Sequence, residues 1–200
     1  KVVTKNNFPK STGIASSASG LSAVTMAAVG SAEVDLSQKE LSELSRLASG
    51  SACRSIPDGF VEWIAQDEVG DSYAHTIFPE DWWQIRDVVA IVTKKMKKTS
   101  STKGHALAES SPFYQTRLAG MADKVKQIKQ AIKEKDFTKF GQIVETDALN
   151  FHAVAMTSTP ALLYWEPTTL EIMRKIQAWR KFNDLEAYFT IDAGPTVHVI

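Results

Sequence analysis

The sequence is short of several things that would narrow its class. It has one cysteine, Cys53, in 200 residues. No internal disulfide framework can form, and a lone thiol fits a reducing compartment. There is no charge excess, since 23 Lys+Arg balance 23 Asp+Glu. A chain that grips a polyphosphate backbone non-specifically carries surplus positive charge, so nucleic acid is not an expected partner. Disorder is excluded as well, because 44% of residues are hydrophobic and the net charge is zero. The histidines His75, His105, His152 and His198 stand too far apart for a ligand spacing, and no zinc site is expected. Long apolar runs are missing. The longest charge-free stretch, residues 11–32, holds six serines and three glycines, too polar for a lipid-facing helix, so no membrane partner is expected. Lys1-Val2-Val3-Thr4-Lys5 leads into no apolar signal core. Neutrality leaves one possibility open: a few cations can still face a small anion.

What is present reads as a mixture of strands and helices. A short strand is expected at Val2–Thr4 and a small-residue helix at about Ser16–Ala28. The next helix has a capping box, Ser37 with Glu40, and a staple pair, Leu36 with Leu41. Leu41, Leu44 and Leu47 mark its expected buried face. Phe60–Ile64 reads as a strand, residues 67–84 as loop, and Val88–Val92 as a strand buried on both faces. A domain boundary is expected near Gln84, separating residues 1–84 from 85–200. Lys94–Lys98 carries four lysines before a polar loop at residues 99–104; it is either a solvated face or a phosphate-attracting one.

From Pro112 the pattern is helical. Leu118, Met121, Val125, Ile128 and Ile132 form an amphipathic stripe. A second helix covers about Phe137–Ala153. A third is expected to start at Thr168 with Glu171 completing a capping box, and to bury Leu170, Met173, Ile176 and Trp179. Strands Ala187–Ile191 and Thr196–Ile200 flank the turn Asp192-Ala193-Gly194-Pro195. The class is α+β, with a helix-on-sheet sandwich in the second half.

Chemistry can sit in three places. Pro9-Lys10-Ser11-Thr12-Gly13-Ile14-Ala15-Ser16-Ser17 precedes a helix. Small residues and a helix N-terminus make a phosphate site, or simply allow close helix packing; the Gly-Lys-Ser/Thr ending of a Walker A loop is missing. Ser49-Gly50-Ser51-Ala52-Cys53-Arg54 places two serines and an arginine around a glycine. An arginine forks onto carboxylate or phosphate oxygens; the alternative is an ordinary helix end, with Cys53 a small buried hydrophobe. Asp192 is either a turn residue or a carboxylate base presented at a strand end. Trp82-Trp83 and Phe151-His152 read as packing residues.

These places occur in a familiar order. Pro9-x-x-x-Gly13-Ile14-x-Ser16-Ser17-Ala18 resembles the phosphate-binding motif of the GHMP kinase superfamily. Four further segments narrow the resemblance to the mevalonate diphosphate decarboxylase family: Asn6-Asn7-Phe8-Pro9, Gly50–Ser55 with Gly59-Phe60-Val61-Glu62-Trp63, Glu109-Ser110-Ser111-Pro112 with Phe151-His152-Ala153, and Asp192-Ala193-Gly194-Pro195. The resemblance implies a two-domain GHMP kinase fold. Its N-terminal part would be like domain 2 of ribosomal protein S5, and its C-terminal part a ferredoxin-like α/β sandwich.

The resemblance also implies conversion of mevalonate 5-diphosphate to isopentenyl diphosphate with ATP and Mg²⁺, in a cytoplasmic homodimer. Gly13, Ser16 and Ser17 would hold the ATP phosphates, and Mg²⁺ would be carried by those phosphates rather than by side chains. Ser49, Ser51 and Ser111 would hold the substrate diphosphate. Arg54 would orient the substrate carboxylate, and Asp192 would sit by the tertiary 3-hydroxyl. The family's N-terminal lysine motif and its closing C-terminal strand and helix are not found, so truncation at both ends is expected. Lys10-Ser11, Ile191 and Thr196 depart from the residues common in the family. They leave open a mevalonate 5-phosphate substrate; the rival readings are a 3-kinase that stops after phosphorylation, against which Asp192 and Arg54 count, and a non-catalytic binding module, against which the Ser17, Arg54 and Asp192 set counts.

Overall fold

A computed structural model describes residues 2–8, 14–64, 72–93 and 101–200. The chain divides into two compact units, with the main division at Gln84/Ile85.

In the first unit, helix α1 spans Ser16–Ser31 and α2 spans Gln38–Ala48. A short 3-10 helix, Gly50–Ser55, follows, and strands β1 (Phe60–Ile64) and β2 (Tyr73–Phe78) form an antiparallel pair. Helix α2 starts where its capping box predicts. The Ser37 hydroxyl accepts from the Glu40 N–H at 3.3 Å, and the Glu40 carboxylate accepts from the Ser37 N–H at 2.8 Å.

The face α2 buries is not the leucine face. Ser42 and Ser45 are fully buried, whereas Leu44 and Leu47 are 41% and 71% exposed. Ser42 explains the reversal. Its hydroxyl donates to the Cys53 carbonyl at 3.1 Å and accepts from the Ala74 N–H at 2.8 Å. One small polar side chain thus ties α2 to both the 3-10 helix and β2, at a separation no leucine would allow.

Strand β2 falls inside the segment expected as loop, where acidic, glycine and proline neighbours mask its six residues. The strand expected at Val2–Thr4 does not form. Val2 and Val3 are 76% and 80% exposed and pair with nothing among the described residues. Between the 3-10 helix and β1, Gly59 has φ +77°, and a Cβ there would lie 2.5 Å from the Phe78 carbonyl oxygen. The β1–β2 pair can close only on glycine.

In the second unit, strand β3 covers Val88–Ala90 and helix α3 covers Ser101–Ala108. Helices α4 (Tyr114–Ala119), α5 (Met121–Glu134), α6 (Phe137–Thr157) and α7 (Pro167–Asn183) follow. Strands β4 (Phe189–Thr190) and β5 (Val197–Val199) complete a three-stranded sheet in the order β3-β5-β4, antiparallel throughout. The core joins Met173 and Ile176 of α7 to Ala187, Phe189, Ile191 and Val197 of the hairpin.

Several boundaries differ from expectation. β3 is an edge strand, not one buried on both faces, and its Val88 is 65% exposed. The helix expected from Pro112 is two helices, because Gly120 ends α4 and begins α5. The lysine-run residues 94–98 lie outside the described residues, while residues 101–104, expected as loop, open α3. α7 starts one residue earlier than expected. Glu166 is its N-cap with Pro167 at the first turn, and Thr169, not Glu171, completes the capping box.

Two contacts lock this unit's helices. A Cβ on Gly141 of α6 would lie 2.0 Å from the Tyr188 ring, so the glycine lets that ring sit directly against the helix. Arg117 of α4 forks onto Asp147 of α6 at 2.8 and 3.1 Å, and Lys124 of α5 reaches the same carboxylate at 2.5 Å. Burial alone would raise the Asp147 carboxyl, but the Arg117 and Lys124 hydrogen bonds outweigh it and hold it below the usual range.

Candidate active site

The first unit presents a group of anion receptors. Helix α1 begins at Ser16 behind Ala15, which supplies no side-chain cap, and its first turn holds no acid. Its unpaired N–H groups and the positive end of its dipole are therefore uncompensated by side chains among the described residues. The hydroxyls of Ser16, half-buried, and Ser17, exposed, make no hydrogen bond among those residues. Gly13 lies outside the described residues. Close packing on small residues does not explain this helix at Gly20 or Gly30, since a Cβ at either meets nothing within 4 Å.

α1 packs on the 3-10 helix that carries the second group. Ser49 and Ser51 are half-buried with hydroxyls likewise unengaged among the described residues. Arg54 is exposed, and among the described residues no carboxylate pairs with it. Trp63 of β1 supports this segment. The Arg54 guanidinium lies 6.0 Å from its ring centroid, a Cβ on Gly50 would be 3.3 Å from its edge, and its Nε1–H donates to Ser72 at 2.9 Å. Cys53, beside Arg54, is fully buried. Burial pushes its thiol up despite the arginine's charge, so it is no nucleophile.

The second unit presents Asp192 on the turn between β4 and β5. Ile191, Gly194, Pro195 and Thr196 are buried while Asp192 is exposed. The turn closes through the Gly194 N–H, which donates to the Asp192 carbonyl at 2.7 Å. Its ends are pinned from two helices. His152 of α6 lies 3.2 Å from the Ile191 carbonyl, and Thr169 of α7 donates to the Pro195 carbonyl at 2.8 Å.

A cavity of about 300 Å³ in this unit reaches Ala193, next to Asp192, and is walled by Phe151, Tyr164 and Arg117. Arg117 is already committed to Asp147 and Asn150. Ser111 is 5% exposed, and its hydroxyl shares a hydrogen bond with Thr157 at 2.6 Å and accepts from the Phe113 N–H at 3.2 Å. In this arrangement Ser111 ends the α3 segment and braces α6. Trp63 and His152 belong to the motifs read from the sequence, yet their supporting roles were not legible there. Only cross-strand register and burial reveal them.

Residues 1–74 match the model of the diphosphomevalonate decarboxylase-like N-terminal domain. Residues 87–200, more than half the chain, match that of the mevalonate 5-diphosphate decarboxylase C-terminal domain. The chain belongs to the mevalonate diphosphate decarboxylase family. It is 36% identical to the diphosphomevalonate decarboxylase of Candida albicans over 97% of its own length and 55% of the relative's. To the human diphosphomevalonate decarboxylase it is 35% identical, covering 97% of itself and 49% of the relative. A solved structure of MDDEF in complex with MVAPP, AMPPCP and magnesium shares 36% identity at a TM-score of 0.88, covering 96% of this chain and 59% of that one. The mixed α+β architecture is therefore the GHMP kinase fold of these decarboxylases. The chain spans about half the length of the curated relatives it matches. No described helix is long and apolar enough to cross a membrane.

Proposed function

We propose that the full-length protein decarboxylates mevalonate 5-diphosphate to isopentenyl diphosphate, releasing ADP, phosphate and CO₂. The observation that carries this reading is Arg54. It is an exposed guanidinium with no carboxylate partner among the described residues, held over Trp63 and flanked by the free hydroxyls of Ser49 and Ser51. A kinase that stopped at phosphorylation would use such a fork only to bind the substrate carboxylate. A decarboxylase must orient and brace that carboxylate while its bond to carbon breaks.

The residues present fit a nucleotide. The uncapped start of α1 with Ser16 and Ser17 suits ATP phosphates, and the relative MDDEF was solved with AMPPCP and magnesium. ATP with Mg²⁺ supplies the phosphoryl group and neutralises its charge. Ser16, Ser17 and Gly13 hold the nucleotide phosphates, while Ser49 and Ser51 hold the substrate diphosphate.

Asp192 orients the tertiary 3-hydroxyl and takes its proton as the phosphoryl group transfers. Asp192 then returns that proton to the departing phosphate; phosphate loss leaves positive charge at C3, which the restored Asp192 carboxylate stabilises, and the electrons of the bond from C2 to the substrate carboxylate carbon form the alkene as CO₂ leaves. Ser111 enters this scheme only if its bond to Thr157 opens, which makes it the weakest member of the set. A homodimer in the cytoplasm completes the proposal; light scattering and cell fractionation test those two points.

The test of the reaction is CO₂ and ADP release on two substrates. Turnover on the diphosphate well above that on mevalonate 5-phosphate is expected. Preference for the monophosphate would make this a phosphomevalonate decarboxylase. Phosphorylated product without CO₂ would sink the decarboxylase reading.

A further inference from the structure

His152 is the most deeply buried histidine of the second unit, 1% exposed. A carbonyl can only accept, so the contact with Ile191 fixes the hydrogen on Nε2, which donates across 3.2 Å. The Asp192 backbone lies against the same ring. Aromatic rings leave the imidazole no freedom: Trp165 stands 4.8 Å away, Phe151 5.1 Å and Tyr164 6.0 Å between centroids. Burial drives the imidazole down to about 4, so it is neutral at pH 7. A neutral, enclosed ring whose only polar hydrogen is engaged by backbone cannot transfer protons with a substrate. It can only hold something in place. What it holds is the residue before Asp192, and Thr169, fully buried, holds the residue three beyond it. Between these two anchors, Asp192 is the exposed charged group.

We propose that His152 is a positioning residue for Asp192, setting the direction of its carboxylate through the Ile191 carbonyl, with Thr169 anchoring the other end of the same turn. The inference rests on the reading of Asp192 as the group beside the 3-hydroxyl. A buried donor is an apt device here. A reacting carboxylate must be held to within a fraction of an ångström, and two-residue strands such as β4 cannot supply that stiffness alone.

The test measures kcat and KM for mevalonate 5-diphosphate and for ATP on the full-length protein. His152→Met keeps the bulk and removes the donor, and it is expected to lower kcat about 10- to 100-fold while both KM values stay within about threefold. His152→Gln places an amide N–H at similar reach and restores kcat to within about fivefold of the wild type. Thr169→Val is an independent probe that leaves the imidazole in place; it should show the same fall in kcat with KM retained. On an Asp192→Asn background, His152→Met should add no further loss.

If Asp192→Asn is inactive but His152→Met and Thr169→Val turn over like the wild type, the positioning role is refuted and the Asp192 reading stands. If His152→Gln is as slow as His152→Met, the hydrogen bond is not the device, and the proposal fails. Turnover by Asp192→Asn would remove the Asp192 reading and this one with it.

Discussion

Arg54 is the residue on which the proposed chemistry turns. It is exposed, supported by an aromatic ring, and unpaired by any carboxylate among the described residues. A planar fork on a substrate carboxylate is not replaceable by a neutral amide. Arg54→Gln is expected to lower kcat/KM for the diphosphate by about 100-fold or more, with little change in nucleotide-analogue affinity. Steady-state kinetics and a fluorescent-nucleotide titration check the two halves of that statement.

His152 makes a prediction of another kind. Its imidazole takes a proton at about 4 in the folded protein against an ordinary 6.5. The unfolded state therefore binds more protons across that interval. The contribution to stability is complete above pH 6.5 and is lost as the pH falls towards 4, by about 3 kcal/mol in all. Tyr164, the nearest titratable ring, is raised by burial and stays neutral throughout. Urea unfolding at pH 7 and pH 4.5 should show His152→Gln losing less stability between the two than the wild type. Equal losses would mean that the imidazole is not buried as described.

At the scale of elements, the pattern of apolar residues located helices better than it located their buried faces. The Ser37–Glu40 box marks the start of α2 because capping is a local interaction. The buried face of α2 is set by what packs against it, and there Ser42 bridges two distant backbone groups. No periodicity rule reports a hydrogen bond across 32 residues of sequence. For the same reason β2 was hidden by its flanks, and the start of α7 moved to Pro167, behind the Glu166 N-cap, because Thr169 is engaged by Pro195 as well as by the helix end.

Ser42→Ala is expected to cost about 2 kcal/mol, since it leaves the buried Ala74 N–H without its acceptor and takes one of two donors from the Cys53 carbonyl. Ser37→Ala removes an exposed cap and should cost about 1 kcal/mol. Gly141→Ala drives a methyl into the Tyr188 ring and should cost about 2 kcal/mol or more. Thermal unfolding of the three variants would rank them. A stability loss for Ser37→Ala larger than that for Ser42→Ala would contradict the assignment of Ser42 as the tie between α2, the 3-10 helix and β2.

Over the whole molecule, a net charge of zero coexists with local groups proposed to receive anions: the start of α1, uncapped by side chains among the described residues, four serine hydroxyls and one guanidinium. These were legible in the sequence as motifs, because small residues before a helix and an arginine beside serines have few uses. Which of their hydroxyls are free was not legible. Ser111 shares the serine chemistry of Ser49 and Ser51, yet its hydroxyl is committed to Thr157 and Phe113. Removing Mg²⁺ with a chelator should abolish turnover reversibly, since the ion is proposed to arrive on the nucleotide.

The central claim, a proposal, is that the full-length protein couples ATP cleavage to carbon–carbon bond cleavage and needs both Asp192 and Arg54 to do so. The most direct measurement follows ADP and CO₂ in the same reaction of the full-length protein with mevalonate 5-diphosphate, for the wild type and for Asp192→Asn. Equal amounts of both products from the wild type, and loss of nearly all of both in the variant with nucleotide binding retained, are the predicted result. ADP formed without CO₂, or undiminished turnover by Asp192→Asn, would contradict it.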